Sequence, residues 1–176
     1  MLTFVLLFKF PKSQPSSRRS TVIPIKLRMS KPSLIFLPGA WHSPEVFDTL
    51  ISKLSAHGYT SKALPLQAVI QDPAVKDLQP DINALRSAVL KEADAGNDVM
   101  VIGHSWGSII VCGGLEGLSK EERKKQGMEG GVVKLAFLTG FVPPENVSLI
   151  QAFGGSPPEW YDVKVRPNLE TLRARC

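Results

Sequence analysis

Gly103-His104-Ser105-Trp106-Gly107 sets a serine midway between two glycines. A serine hydroxyl attacks a carbonyl only when its surroundings expose and activate it. A sharp turn from a buried strand into a helix exposes it, and the flanking sequence supplies both elements. Val99 to Ile102 is an unbroken apolar run, and from Trp106 to about Leu118 the residues Ile109, Ile110 and Leu115 return at helical spacing. Gly103 and Gly107 leave the space so tight a turn demands, and the start of the helix favours developing negative charge. On this reading Ser105 is the nucleophile of an acyl-transfer site. The competing reading is an incidental glycine-rich turn whose serine caps a helix.

Acyl transfer also needs two backbone N–H donors aimed at the oxyanion. Trp106, directly after the serine, supplies one. Pro38-Gly39-Ala40-Trp41-His42, directly after another apolar run, supplies the other, since Gly39 lets the chain turn so that the Ala40 N–H points inward. A plain strand-ending turn is the alternative for this segment. Trp41, His42 and Trp160 are candidate pocket residues, although the tryptophans serve equally well as packing.

The chain has three histidines, His42, His57 and His104, and none follows Ser105. His104 adjoins the serine, where neighbours on a sharp turn point in different directions. His57 stands just before Gly58 and suits the terminal carbonyls of a helix. His42 is close enough to the proposed oxyanion loop to approach the site. Two cysteines, Cys112 and Cys176, make no disulfide framework, and without a CxxC pair there is no metal motif. Neither a metal nor an organic cofactor is expected.

Alternating strands and helices have to hold these residues. Ser33 to Leu37 reads as a strand buried on both faces. Ser43-Pro44-Glu45 opens a helix that carries Val46, Phe47, Leu50, Ile51 and Leu54 on one face and stops at Gly58. Tyr59 to Leu66 is a weaker strand, and Gln67 to Gln79 a loop. A second helix spans about Asp81 to Ala95, with Ile82, Leu85 and Val89 aligned and Gly96 as its stop. Gly113 and Gly114 in the helix after Ser105 suggest close approach to the sheet beneath. Ser119 to Gly131 reads as a solvated helix end and loop, and Val132 to Leu138 as a fourth strand. The expected fold is α/β, a three-layer, mainly parallel sheet with helices on both faces.

The Ser105 pentapeptide, the Pro38-Gly39-Ala40 loop and Leu138-Thr139-Gly140-Phe141-Val142-Pro143-Pro144 together resemble the α/β-hydrolase family, nearest its small esterase and hydroxynitrile-lyase-like branch. The resemblance covers roughly Lys31 to Val163. It implies an esterase-type serine hydrolase of a small carbonyl ester, with Ser105 as nucleophile, the Ala40 and Trp106 N–H groups as oxyanion hole, and a lid beginning over Gln151 to Tyr161. It also implies an Asp or Glu and then a His after the serine. Glu145, Glu159, Asp162 and Glu170 lie in no recognisable acid loop, and the histidine is missing. The chain therefore reads as the N-terminal portion of a hydrolase, truncated, with an exposed sheet edge and an uncovered apolar helix face. A non-catalytic or vestigial ligand-binding domain, or a lyase on the same turn, are the alternatives.

A chain of 176 residues fits one domain with a real core, since about 70% of the extended surface can be buried at this size. Residues 1–44 hold seven basic side chains and no acid, leaving 14 basic against 16 acidic residues in the remainder. The net charge of +5 thus belongs to the N-terminal segment and does not make the domain a nucleic-acid binder. Residues 1–28 read as an extension outside the fold, disordered or dispensable, with a transit peptide and then a secretory signal as the next readings. Met29 is a plausible alternative start. The apolar run Leu2 to Phe8 is far short of the roughly 20 residues that span a bilayer, so membrane association is not expected. The hydrolase portion is assigned to 29–164, the tail to 165–176, the partner to a small-molecule substrate, and the location to the cytoplasm, or to an organelle if residues 1–28 are genuine.

Overall fold

A computed structural model of the chain describes residues 5–9, as backbone, together with 31–70 and 75–156. Four strands, Ser33–Leu37 (β2), Ser61–Ala63 (β3), Asp98–His104 (β4) and Gly131–Leu138 (β5), lie parallel. Val5–Lys9 (β1) joins them antiparallel, and the order across the sheet is β1-β5-β4-β2-β3.

The strand residues alternate between two apolar layers. Ile35, Leu37, Val99 and Val101 face Leu85 and Val89 of α3 (Gln79–Asp94) and Ile109 and Ile110 of α4 (Gly107–Gly114), all buried. Leu34, Phe36, Ile102 and Ala136 face the other way, against Phe47 of the 3-10 turn Pro44–Phe47 and against Ile51 and Leu54 of α1 (Asp48–Ala56). Each fully buried aliphatic side chain contributes roughly 1.5–3 kcal/mol. Register places Leu37 beside Gly103, and His104 beside Leu138, so the segments leaving β2, β4 and β5 emerge side by side at the carboxyl edge.

The structure departs from the sequence expectations in several places. Part of the supposed extension is strand: β1 pairs with Lys134–Leu138 and takes up the N–H and C=O groups that β5 would otherwise leave open. An apolar groove of about 580 Å³ lies between the sheet and α1, lined by Leu34, Phe36, Met100 and Ile102 on one side and by Leu50 and Leu54 of α1 on the other. Val46 and Leu50 are exposed, because the chain enters α1 through a 3-10 turn that rotates them off the buried face. Ser43 has the extended backbone of a cap, but its hydroxyl makes no cap hydrogen bond. The expected loop after β3 contains a short helix, α2 (Gln67–Ile70), whose first N–H groups, on Gln67 and Ala68, donate to the buried Asp81 carboxylate. A Cβ on Gly114 would meet Leu85 at 3.1 Å, so its small size serves the α3–α4 contact and not the sheet. The charge-dense stretch forms α5 (Lys120–Lys125), where Arg123 is buried and paired with Asp94 at 2.7 Å. His57 caps α1 through its backbone, and its carbonyl accepts from Lys31.

Candidate active site

Ser105 occupies, with Trp106, a two-residue corner. β4 ends at His104, α4 begins at Gly107, and Ser105 has a φ of 50°, a left-handed conformation uncommon outside glycine. Its neighbours hold it there. The Ser105 N–H donates to the Leu138 carbonyl at 3.0 Å, and the Ser105 carbonyl accepts from the Ser108 N–H at 3.1 Å. A Cβ at Gly103 would stand 2.7 Å from the Ser108 Cα, and one at Gly107 would stand 2.7 Å from both the Leu37 and the Pro38 carbonyl oxygens. Gly107 therefore presses the start of α4 onto the end of β2, where the second loop begins.

That loop is drawn against the serine. A Cβ on Gly39 would lie 3.2 Å from the Ser105 Cβ and 3.2 Å from the His104 Nδ1. Ala40 is half-buried, and Trp41 follows with a φ of 62°. Among the described residues, neither the Ala40 nor the Trp106 backbone N–H donates to a carbonyl. Both donors are thus available on segments in contact with Ser105. Trp106 packs its side chain against the larger core cluster, while Trp41 is 70% exposed.

His104 and His42 stand edge to face, ring centroids 6.2 Å apart. Burial, and then the neighbouring His42, hold the His104 imidazole below its ordinary pKa, so it is neutral over more of the pH range. The exposed His42 has its Nδ1 at 2.9 Å from the Ala40 carbonyl oxygen; with Nδ1–H donating, Nε2 is left as an acceptor. No hydrogen bond engages the Ser105 hydroxyl among the described residues. Glu145 is exposed in the segment that follows β5, and Trp160, Glu159, Asp162 and Glu170 lie outside the described residues. Of the segment Gln151 to Tyr161 expected to begin a lid, Gln151 and Ala152 end the short helix α6 (Leu149–Ala152), which a capping box between Ser148 and Gln151 opens, and residues 157–161 are likewise outside them. Among the described residues there is no cluster of three His, Cys, Asp or Glu able to hold a metal, and no helix long and apolar enough to cross a membrane.

Two features of the site escape a reading of motifs. Thr139, the residue after β5, has a φ of 44°, so the segments leaving β2, β4 and β5 each carry a left-handed non-glycine residue. Gly140 faces the buried Ser108, and a Cβ there would overlap its hydroxyl. The glycine after a strand was the visible signal for this contact, but nothing in the sequence names its partner.

Two comparisons bear on this arrangement. The sequence pattern of the Alpha/beta hydrolase family matches residues 34–174. The chain is also 31% identical over 121 residues to the alpha/beta hydrolase nvfD of Aspergillus novofumigatus (strain IBT 16806), across 69% of this chain and 48% of that protein. The chain spans about half the length of the curated relative it matches. A match over most of the chain, on a parallel sheet with a serine at the β4–α4 corner, leads to one conclusion: the chain belongs to the alpha/beta hydrolase family.

Proposed function

We propose that this chain carries the nucleophile and oxyanion-binding half of a serine hydrolase site for small carbonyl esters. Ser105 is the nucleophile, and the Ala40 and Trp106 N–H groups receive the oxyanion. The reading rests on one observation: a strained serine at the start of α4 in contact with the β2 loop, with two backbone donors not engaged by carbonyls on either side of it. Such donors stabilise charge that develops on the carbonyl oxygen, and removing one of them in a protease costs about 10²–10³ in turnover. The chain offers no histidine after Ser105, so the hydroxyl stays protonated and reacts slowly. That same observation favours a second reading, in which this segment binds the carbonyl compound without turning it over. Incubation with a fluorophosphonate and mapping of the adduct tests the first reading. A slow, single adduct on Ser105, lost in Ser105→Ala, is expected. Labelling spread over other serines, or none at all, contradicts it.

A further inference from the structure

The groove between the sheet and α1 is apolar along its length and cationic at one end. On β5 it runs from Lys134 past Ala136 to Leu138, which at the rise of a strand is about 13 Å. Met100 and Ile102 line its floor, and Leu50 on the opposite wall is still 40% exposed. Among the described residues, Lys134 is the one charged group lining it, and it has no ion pair or hydrogen-bond partner there. Lys31 stands at the same end, its Nζ 4.7 Å over the ring of Tyr59, which also lines the groove. Register sets Lys9 of β1 opposite Lys134, and like charges so opposed destabilise a strand pair. Asp98, two residues before Met100 on β4, is already paired with Lys120 at 2.6 Å. The helix α1 returns from the carboxyl edge to the amino edge between β2 and β3, so its Asp48 lies toward the far end and its Lys53 toward the cationic one.

We propose that this groove binds a free single-chain amphiphile with an anionic head, of the fatty-acid type, its alkyl chain along Ile102 and Ala136 and its carboxylate at Lys134. At about 580 Å³ the groove has the size of a small-molecule site, and like such sites it sets one polar group against apolar walls. The chain gains by leaving water for those walls. The carboxylate meets an unpaired ammonium and no acid among the lining residues, whereas a cationic head would face lysines alone. The site uses neither Ser105 nor the Ala40 and Trp106 N–H groups, so it stands whether or not that serine is a nucleophile.

The full chain is titrated with decanoate, hexanoate, decan-1-ol and decyltrimethylammonium, following backbone amide resonances. Decanoate is expected to bind one to one and to shift Leu34, Met100 and Ala136. Hexanoate should bind at least about tenfold more weakly, through the methylenes it lacks. Decyltrimethylammonium should bind at least about fivefold more weakly than decanoate. Lys134→Met keeps the apolar stem and removes the ammonium; it should erase that preference for the anion and leave decan-1-ol unchanged. Leu50→Asp, at an exposed position on the opposite wall, should weaken decanoate and spare decyltrimethylammonium, with the melting temperature held in both variants. Equal binding of the two head groups, an unaltered preference in Lys134→Met, or shifts confined to other parts of the sheet would each overturn the proposal. Failure of decanoate to bind also overturns it. If the chain then sediments as a dimer that Leu50→Asp turns into a monomer, the face joins two copies; if it sediments as a monomer, the face is closed to ligands.

Discussion

Conformational strain at single residues is the local signature of this site. Thr139 is β-branched and left-handed, and Ser105 and Trp41 share that backbone region; each such residue costs of order 1–3 kcal/mol. Thr139→Gly removes the strain at an exposed position, and should raise stability by about 1 kcal/mol in chemical unfolding. A loss of stability there would mean that Thr139 makes contacts outweighing its backbone cost. Gly107 presents the opposite case. A methyl group there collides with two carbonyl oxygens of the β2 loop, neither at the end of a flexible side chain. Gly107→Ala should destabilise by about 3 kcal/mol and shift amide resonances of Gly39 and Ala40. Unchanged melting would show that the turn is looser than described.

At the scale of elements, α3 carries two acids whose environments oppose one another. Burial raises the Asp81 pKa, against the N–H groups of Gln67 and Ala68 that lower it. For Glu92, burial also raises, but Ser33, Lys62 and Asn97 together outweigh it and the pKa falls. An acid raised in the folded state holds its proton more tightly there than in the unfolded chain. Its contribution to stability therefore declines as pH rises from its ordinary range through the raised value. An acid lowered in the folded state does the reverse, losing its contribution as pH falls through the lowered value. Melting measured from about pH 3 to about pH 7 should thus respond in opposite senses. Asp81→Asn steepens the loss of stability toward acid, and Glu92→Gln flattens it. The same sense of change in both variants would refute these environments. Element existence was largely legible in the sequence, because unbroken apolar runs and helical spacing record burial directly: β2, β4, β5, α3 and the Ser105 corner lie where those patterns put them. What was not legible depended on contacts distant in the chain. The pairing of β1 with β5 needs an open edge that only the assembled sheet provides. The short α2 depends on an acid at position 81, and burial of Arg123 depends on Asp94 and the Gly130 carbonyl, 29 and 7 residues away.

Taken whole, the molecule brings a half-buried serine and two backbone N–H groups not engaged by carbonyls to one edge of a parallel sheet, where open α/β sheets bind ligands. It brings no base to the serine hydroxyl among the described residues. Removing the base of a serine protease lowers turnover by about 2 × 10⁶ and leaves about 10³–10⁴ over water. This chain should therefore hydrolyse p-nitrophenyl acetate only marginally, with Ser105→Ala changing the residual rate little. A robust rate, abolished by both Ser105→Ala and His42→Ala, would show His42 acting as the base through its free Nε2. The central claim is that position 105 is built for nucleophilic attack on a carbonyl, and it is best tested without requiring a base. A thiol is partly ionised near neutral pH and needs none, and a helix N-terminus lowers its pKa further. Ser105→Cys should give a burst of one equivalent of p-nitrophenol from p-nitrophenyl acetate, with the acetyl group mapped to position 105 and little on Cys112 or Cys176. Acetylation at position 105 no faster than at those two cysteines would contradict the account.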